Sequence, residues 1–153
     1  MAKIFKVPYK QRAVIQRAYQ RKIQSYGLVQ EYTMKDSVRI GAGSRVALNK
    51  LYIQINAIYY FQFHDKFAHN TDIIRLWNGG SFPTYPITQE VFQDAKVQRA
   101  LAEIYQQYYE WLAQNFPLFN NAQIKEEPQI LVGFEFFGDG GRWNKAIGYA
   151  PLD

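Results

Sequence analysis

The stretch LYIQINAIYYFQF, residues 51–63, decides the fold of this chain. Its odd-numbered positions are apolar or aromatic: Leu51, Ile53, Ile55, Ala57, Tyr59, Phe61 and Phe63. Its even-numbered positions form a mixed face: Tyr52, Gln54, Asn56, Ile58, Tyr60 and Gln62. This period of two predicts a β-strand whose odd-numbered side chains face a core. A helix remains the alternative, because Leu48, Tyr52, Ile55, Tyr59 and Gln62 also recur at helical spacing.

The even-numbered face is neither clearly polar nor clearly apolar, which is typical of a surface that a neighbouring subunit covers. Aromatic residues make up 17% of the chain, with 12 Tyr, 11 Phe and 3 Trp. Large rings are enriched where proteins meet partners. We therefore predict a protein interface that includes Tyr52, Tyr60 and Trp111. The alternative is a sheet core that is simply rich in Tyr and Phe.

The rest of the chain predicts two helices, several short strands and a hairpin. Residues 9–26 and 88–116 have helical apolar spacing, with Thr88 as the expected N-cap of the second helix and Pro117 after its end. Residues 28–34 and 38–40 are strand candidates, and residues 71–78 form a short strand or helical turn before a loop at residues 78–81. Residues 130–137 and 142–149 flank the glycine-rich segment 138–141 and predict a hairpin.

These elements predict an α+β fold in a single domain that spans residues 1–153. The expected architecture is an N-terminal helix, an antiparallel sheet of about four to five strands, one long helix packed on the sheet, and a C-terminal β-hairpin. A basic N-terminal arm and helix occupy roughly residues 1–26.

Positive charge is concentrated in the first third of the chain. Residues 1–50 carry eleven basic and two acidic side chains, a net charge of +9, whereas residues 51–153 carry seven basic and eleven acidic ones, a net charge of −4. A segment polarised in this way attracts nucleic acid or an acidic protein surface. From this basic group, which also includes Lys6 and Lys50, we select these contact residues: Lys10, Arg17, Arg21, Arg39 and Arg45. A solvated helix face is the alternative for residues 9–26.

The residues that carry catalysis or bind metals are sparse. The chain has no Cys, which excludes disulfides and thiolate chemistry, and only two His, His64 and His69. With Asp65 and Asp72 they are the only candidate ligands for a small metal-dependent hydrolase, which we retain as a minor alternative. The segment Gly41-Ala42-Gly43-Ser44 lacks the Lys-Ser/Thr ending of a phosphate-binding loop and predicts a turn. We therefore predict no catalytic residues, no metal, no cofactor and no enzymatic activity.

The predicted function is that of a non-catalytic structural subunit of a larger multiprotein assembly. The order helix, strands, long helix and terminal hairpin resembles that of small phage tail-completion proteins, which assemble as rings around a tail tube. The resemblance implies a virion or tail-connector component that contacts other subunits or copies of itself. The alternative is a nucleic-acid-binding accessory subunit of a nucleoprotein complex. No secretion signal or membrane span is recognisable, so a virion or cytoplasmic location is expected.

Overall fold

The computed structural model describes residues 4–28, 33–47, 50–69, 85–115, 129–138 and 143–149. The elements in chain order are β1 (Ile4–Lys6), α1 (Tyr9–Ser25), α2 (Thr33–Ser37), β2 (Arg39–Ile40), β3 (Arg45–Ala47), β4 (Lys50–Ile58), a 3-10 helix (Tyr59–Phe63), α3 (Lys66–His69), α4 (Ile87–Gln93), α5 (Ala95–Asn115), β5 (Gln129–Phe137) and β6 (Trp143–Tyr149). The predicted α+β class and the N-terminal helix are confirmed.

The strands form one mixed sheet in the order β1-β3-β4-β5-β6, with β2 also paired to β4. The central pair, β4 and β5, is parallel from Lys50 opposite Gln129 to Ile58 opposite Phe137. The prediction of an antiparallel sheet is therefore wrong at its centre. The reason is that helices connect β4 to β5 and return the chain to the end at which β4 began, as parallel pairing requires. The predicted C-terminal hairpin is confirmed by the antiparallel pairing of β5 with β6.

The core lies between one face of this sheet and a layer of helices. Leu51, Ile53, Ile55 and Ala57 are fully buried on β4, as the period of two predicts. Ring contacts connect this face to the helices. Phe5 of β1 lies 6.0 Å from Tyr108 of α5, and Phe67 of α3 lies 5.9 Å from Phe134 of β5. Tyr19 of α1 meets Phe61 edge to face at 5.9 Å. The described elements on this side therefore belong to one hydrophobic cluster.

Strand β4 ends earlier than the sequence predicts. Period-two spacing continues to Phe63, but the chain leaves the sheet after Ile58 and forms the 3-10 helix. The partner strand explains the ending, because Ile58 pairs with Phe137 and the next residue, Gly138, has a φ of 97°. Positive φ is readily adopted only by glycine, so the partner strand stops there. Phe61 remains fully buried despite leaving the strand.

The predicted long helix is two helices, α4 and α5, separated at Asp94. The backbone of Asp94 is extended, with ψ of 134°, and its Oδ1 accepts hydrogen bonds from the backbone N–H of Lys96 at 2.8 Å and of Val97 at 3.3 Å. This carboxylate therefore caps α5. The prediction that Thr88 caps the helix is wrong: Pro86 holds the N-cap position of α4, and the Thr88 side chain is buried.

The remaining predictions for short elements have mixed outcomes. The strand expected over residues 28–34 is wrong at Thr33 and Met34, which lie in α2, while residues 29–32 are outside the described residues. The strand expected at residues 38–40 is confirmed as β2. The predictions for residues 71–78 and 78–81 also lie outside the described residues. None of the helices in the described part of the chain is both long and apolar enough to cross a membrane.

Candidate functional site

The second face of the sheet is not covered by the helix layer, and we call it the open face. It carries the even-numbered residues of β4: Lys50 is exposed, and Tyr52, Gln54, Asn56 and Ile58 are partly exposed. Side chains of paired residues in neighbouring strands point to the same side of a sheet. Pairing of Lys6 with Arg45, Arg45 with Tyr52, and Tyr52 with Leu131 therefore places one row of side chains across the open face.

Tyr52 lies flat across the open face. A Cβ placed on Gly133 of β5 would come within 2.4 Å of the Tyr52 hydroxyl, so glycine at this position makes room for the ring. The Arg45 guanidinium lies over the same ring, 4.6 Å from its centroid, and its Nη1 donates a hydrogen bond to the carbonyl of Gly43 at 2.8 Å. The pair forms an ordered cation–π contact.

The Gln54 side chain packs in the same way over Gly41 and Gly43. A Cβ added to Gly41 would come within 2.4 Å of the Gln54 Oε1, and one added to Gly43 within 2.5 Å. The Gly43 N–H donates to this Oε1 at 3.2 Å, and the Gly41 N–H donates to the Gln54 carbonyl at 2.7 Å. The Gln54 N–H donates to the buried Ser44 hydroxyl at 2.9 Å. The backbone donors of both glycines in segment 41–44 therefore bind Gln54, which makes this segment a structural turn.

The far end of the open face contains a cleft of about 330 Å³, lined by Asp36, Ser37, Arg39, Asn56, Glu135 and Phe137. The Arg39 guanidinium is turned back on the chain, with Nη1 donating to the carbonyls of Asp36 at 2.6 Å and Val38 at 2.8 Å. The Oδ1 atom of Asn56 is buried without a hydrogen-bond donor from the described residues. Phe137 is 37% exposed at the rim.

The structure divides the predicted basic residues between two surfaces. Lys10, Arg17 and Arg21 are exposed on α1 in the helix layer, whereas Arg39 and Arg45 belong to the sheet. The α1 group is also partly neutralised within the molecule. Arg21 lies 3.8 Å from the Asp94 carboxylate, and its neighbour Lys22 lies 3.3 Å from that of Glu90.

The predicted aromatic interface residues are likewise separated. Only Tyr52 lies on the open face. Tyr60 is half-buried in the 3-10 helix, with its ring 5.4 Å from that of Tyr59. Trp111 lies on α5, where it packs 5.8 Å from Phe5, which points into the helix layer. The three residues therefore do not form one patch.

Sequence analysis did not select Lys6 and Lys50, which are exposed beside Arg45 and Tyr52. Strand register brings these four residues together: Lys6 pairs with Arg45, and Lys50 precedes Tyr52 by two positions on β4. The available signal was the period of two, which places Lys50 and Tyr52 on the same side. The pairing of β1 with β3 is not visible in the sequence.

The buried carboxyl group of Asp65 is the most perturbed acid that the structure describes. It accepts hydrogen bonds from the Thr88 N–H at 2.9 Å, the Thr88 hydroxyl at 2.7 Å and the Ala68 N–H at 3.2 Å. The Tyr19 hydroxyl in turn donates to the Thr88 Oγ1 at 2.9 Å. Burial raises the pKa of Asp65 to about 6, against the hydrogen bonds from Thr88, Ala68 and Phe67, which lower it.

This geometry gives Asp65 a structural role. Its oxygens cap the first turns of both α3 and α4, and the residue is fully inaccessible to solvent. Its sequence neighbour His64 is half-buried, and burial lowers the pKa of that imidazole. Within the described residues there is no group of three or more His, Asp or Glu side chains able to hold a metal ion. Asp72 and the His69 side chain lie outside the described part.

Comparisons with known proteins identify no relative of this chain: no family model matches it, and neither the curated proteins nor the solved structures contain a significant match.

Proposed function

We propose that this protein is a non-catalytic structural subunit of a larger multiprotein assembly. The observation that carries the proposal is the far end of the open face, where Asn56 and Phe137 line a cleft beside the partly exposed Ile58, and the end of α2 flanks this cleft through Asp36 and Ser37. We call these three residues the amide-apolar end. Partly exposed apolar side chains around a concave surface are typical of a contact surface for another protein.

The unsatisfied Asn56 carbonyl adds to this argument. A buried acceptor without a donor costs about 1–3 kcal/mol. A partner that covers the cleft and supplies one N–H or O–H would recover this cost while burying the Phe137 ring. The contact would therefore combine the apolar rim at Phe137 with one oriented hydrogen bond in a cleft lined mostly by polar residues, which suits a defined interface better than non-specific association.

A virion or tail-connector component is the specific kind of assembly that we propose. The support for it is the order of elements predicted from the sequence, now with α1, the strands, α4–α5 and the β5–β6 hairpin in the expected succession. Copies of this chain are the first partners to test, because a ring requires each copy to contact the next. A virion location, in preference to a cytoplasmic one, belongs to the same proposal.

Analytical ultracentrifugation across a wide range of concentrations tests the proposal. We expect the wild-type protein to self-associate and Phe137→Glu to reduce the association, because the new carboxylate would be desolvated in the contact. Tyr9→Glu is the matched control: Tyr9 is also an exposed ring, at 73%, but lies on α1. A wild-type protein that stays monomeric at every concentration would contradict assembly from copies. Equal association of both variants would exclude this face as the contact.

Nucleic-acid binding is the second candidate function, and the sheet favours it more than the predicted α1 surface does. Two of the neighbouring cations on α1, Arg21 and Lys22, form ion pairs with Asp94 and Glu90. On the sheet, Lys6, Arg45 and Lys50 form no ion pair with any part of the chain that the structure describes. Lys10 and Arg17 of α1 are likewise outside these ion pairs, so the strands are the better candidate because their cations lie beside the Tyr52 ring.

A further inference from the structure

We propose that the protein has a second binding site, for single-stranded nucleic acid, at the opposite end of the open face from the cleft. This basic end consists of Lys6, Arg45, Lys50 and Tyr52. The site goes beyond the proposed assembly role and does not depend on it, because the two sets of residues share no member. The ligand class is a single strand of DNA or RNA, recognised through its phosphates and the faces of its bases.

The first argument is charge complementarity. Lys6, Arg45 and Lys50 are exposed on three adjacent strands, and all point to the open face. With strands about 4.8 Å apart and residues about 3.3 Å apart along a strand, the backbone positions of the three residues lie within about 12 Å of one another. That span matches roughly two or three phosphates of a single strand. The described strands carry one acidic side chain on this face, Glu135, which pairs with Asn56 and accepts a hydrogen bond at its Oε2 from the Nε2 of Gln54 at 3.4 Å, two positions beyond Tyr52 on β4.

Two planar groups, the Arg45 guanidinium and the Tyr52 ring, lie at the centre of these charges and also support the site. The Arg45 guanidinium is held over the Tyr52 ring and fixed by its hydrogen bond to Gly43, while the ring rests on Gly133. Both groups are therefore ordered before any ligand arrives, which lowers the entropic cost of binding. Guanidinium planes and aromatic rings are the groups on which unpaired bases stack.

The shape of the surface selects a single strand over a duplex. Proteins usually read a duplex by inserting a helix or a two-stranded ribbon into a groove. Tyr52 and Gln54 instead lie flat on glycines of neighbouring segments, so the face presents a platform. An acidic protein surface would use the cations but would gain nothing from the stacked Arg45 and Tyr52 pair. The combination of charge and stacking therefore favours unpaired bases with their phosphates.

Fluorescence anisotropy with a labelled single-stranded oligonucleotide of mixed sequence tests the site. We expect Arg45→Glu/Lys50→Glu to weaken binding by at least about tenfold, because two phosphate contacts become repulsive. Lys10→Glu/Arg17→Glu is the matched control, since it changes net charge equally on α1 and is expected to leave the affinity within about twofold. Tyr52→Ala is expected to weaken binding about tenfold, because the Arg45 guanidinium, on whose outer plane a base stacks, loses the ring that holds it. Circular dichroism melting of each variant checks that it is folded.

Three outcomes would overturn the proposal. The wild type does not bind the oligonucleotide at low salt, or Lys10→Glu/Arg17→Glu loses more affinity than Arg45→Glu/Lys50→Glu. The third is that the wild type binds a duplex of the same sequence with equal affinity. Effective competition by polyglutamate, with Tyr52→Ala unchanged, would assign the surface to an acidic protein and would also overturn it. Phe137→Glu is expected to retain oligonucleotide binding. Failure of this site is thereby distinguishable from failure of the assembly contact, which only the Phe137 variant is designed to affect.

Discussion

Asp65 shows how one buried acid organises three separate segments. Its carboxylate caps α3 through Ala68 and α4 through Thr88, and the Thr88 hydroxyl receives a hydrogen bond from Tyr19 of α1. Asp65 forms no ion pair with the described residues, so these hydrogen bonds alone offset its burial. A buried charge held only by neutral donors is sensitive to protonation.

The first prediction concerns the pH dependence of stability. The pKa of Asp65 rises from 3.8 to about 6 on folding, so the folded state binds more protons than the unfolded state between these values. The contribution of this group is therefore complete below about pH 4 and is lost as the pH rises through about 6, by roughly 3 kcal/mol. Urea unfolding of the wild type and of Asp65→Asn over this range measures it, as the difference between their free energies of unfolding.

The Asn variant keeps an acceptor for the Thr88 N–H but cannot titrate, so it serves as the reference for all other acids. A difference between the two proteins that stays constant across the range would show that the carboxyl group does not change its pKa on folding. A wild type that gains stability relative to the variant as the pH rises would reverse the predicted sign and would contradict a raised pKa.

The sequence contains only half of the information about this residue. An Asp immediately before a short helix is typical of an N-cap. The adjacent His64 made Asp65 a candidate metal ligand as well, so the sequence alone did not favour the cap. Its partner Thr88 lies 23 positions further along the chain. The expectation that Thr88 would act as a cap failed for the same reason, because its hydroxyl has a tertiary partner that no local pattern reveals.

At the level of elements, α4 ends and α5 begins although the helical spacing of apolar residues in the sequence continues across the break. Apolar residues recur at helical spacing on both sides of Asp94, from Val91 and Phe92 to Val97 and Leu101, so a single helix was predicted. The extended backbone at Asp94 allows its side chain to cap α5. Its Oδ2 also reaches Arg21 of α1, which fixes the start of α5 against the N-terminal helix.

The second prediction, at the scale of elements, follows from this cap. Asp94→Ala is expected to lower the free energy of unfolding by about 1 kcal/mol, since two N–H groups lose their acceptor. Asp94→Asn is expected to restore most of the loss, because the amide oxygen can cap while the charge is removed. The exposed ion pair with Arg21 is worth at most a few tenths of a kcal/mol. Thermal or urea unfolding measures all three proteins.

Glu103→Ala provides the control, because Glu103 is an exposed acid in the middle of α5. If this control loses as much stability as Asp94→Ala, the effect comes from the charge of the helix and not from capping. Equal loss in Asp94→Asn and Asp94→Ala would assign the whole effect to the ion pair with Arg21.

The parallel pairing of β4 and β5 could have been predicted from the sequence. Two strong strand patterns separated by a long helical pattern are typical of a β-α-β unit, whose strands run parallel. The predicted hairpin relates β5 only to β6 and does not specify how β5 pairs with β4. The identity of the inner face was predictable from β4 alone, but the register that assembles the basic end was not.

At the scale of the whole molecule, the described helices and strands contribute to one buried cluster that includes Ile15 of α1, Ile53 of β4, Ile104 of α5 and Phe134 of β5. We therefore predict that the chain unfolds in one cooperative transition. Differential scanning calorimetry is expected to give equal calorimetric and van't Hoff enthalpies. Two separated transitions, or a calorimetric enthalpy well above the van't Hoff value, would contradict the prediction of a single domain.

The arrangement of charge at this scale differs from the prediction in one instructive way. The charged side chains of residues 1–50 that the structure describes are distributed by the fold over two helices and four strands. The sequence identified the surplus and predicted contacts at Lys10, Arg17 and Arg21 together with Arg39 and Arg45, but it did not show that the fold places the strand residues on a separate surface. A basic surface built from three strands needs their order and pairing, which arise from tertiary structure.

The parallel pairing at the centre of the sheet also has a consequence for folding during synthesis on the ribosome. Lys50 finds its partner Gln129 only 79 positions later, so β4 has left the exit tunnel long before β5 is made. During that interval the apolar face of β4 can pack against helices, but the edge of the strand that later pairs with β5 has no partner strand. Pairings this remote in sequence slow folding. The nascent chain is therefore expected to draw on holding chaperones until its last quarter has been translated.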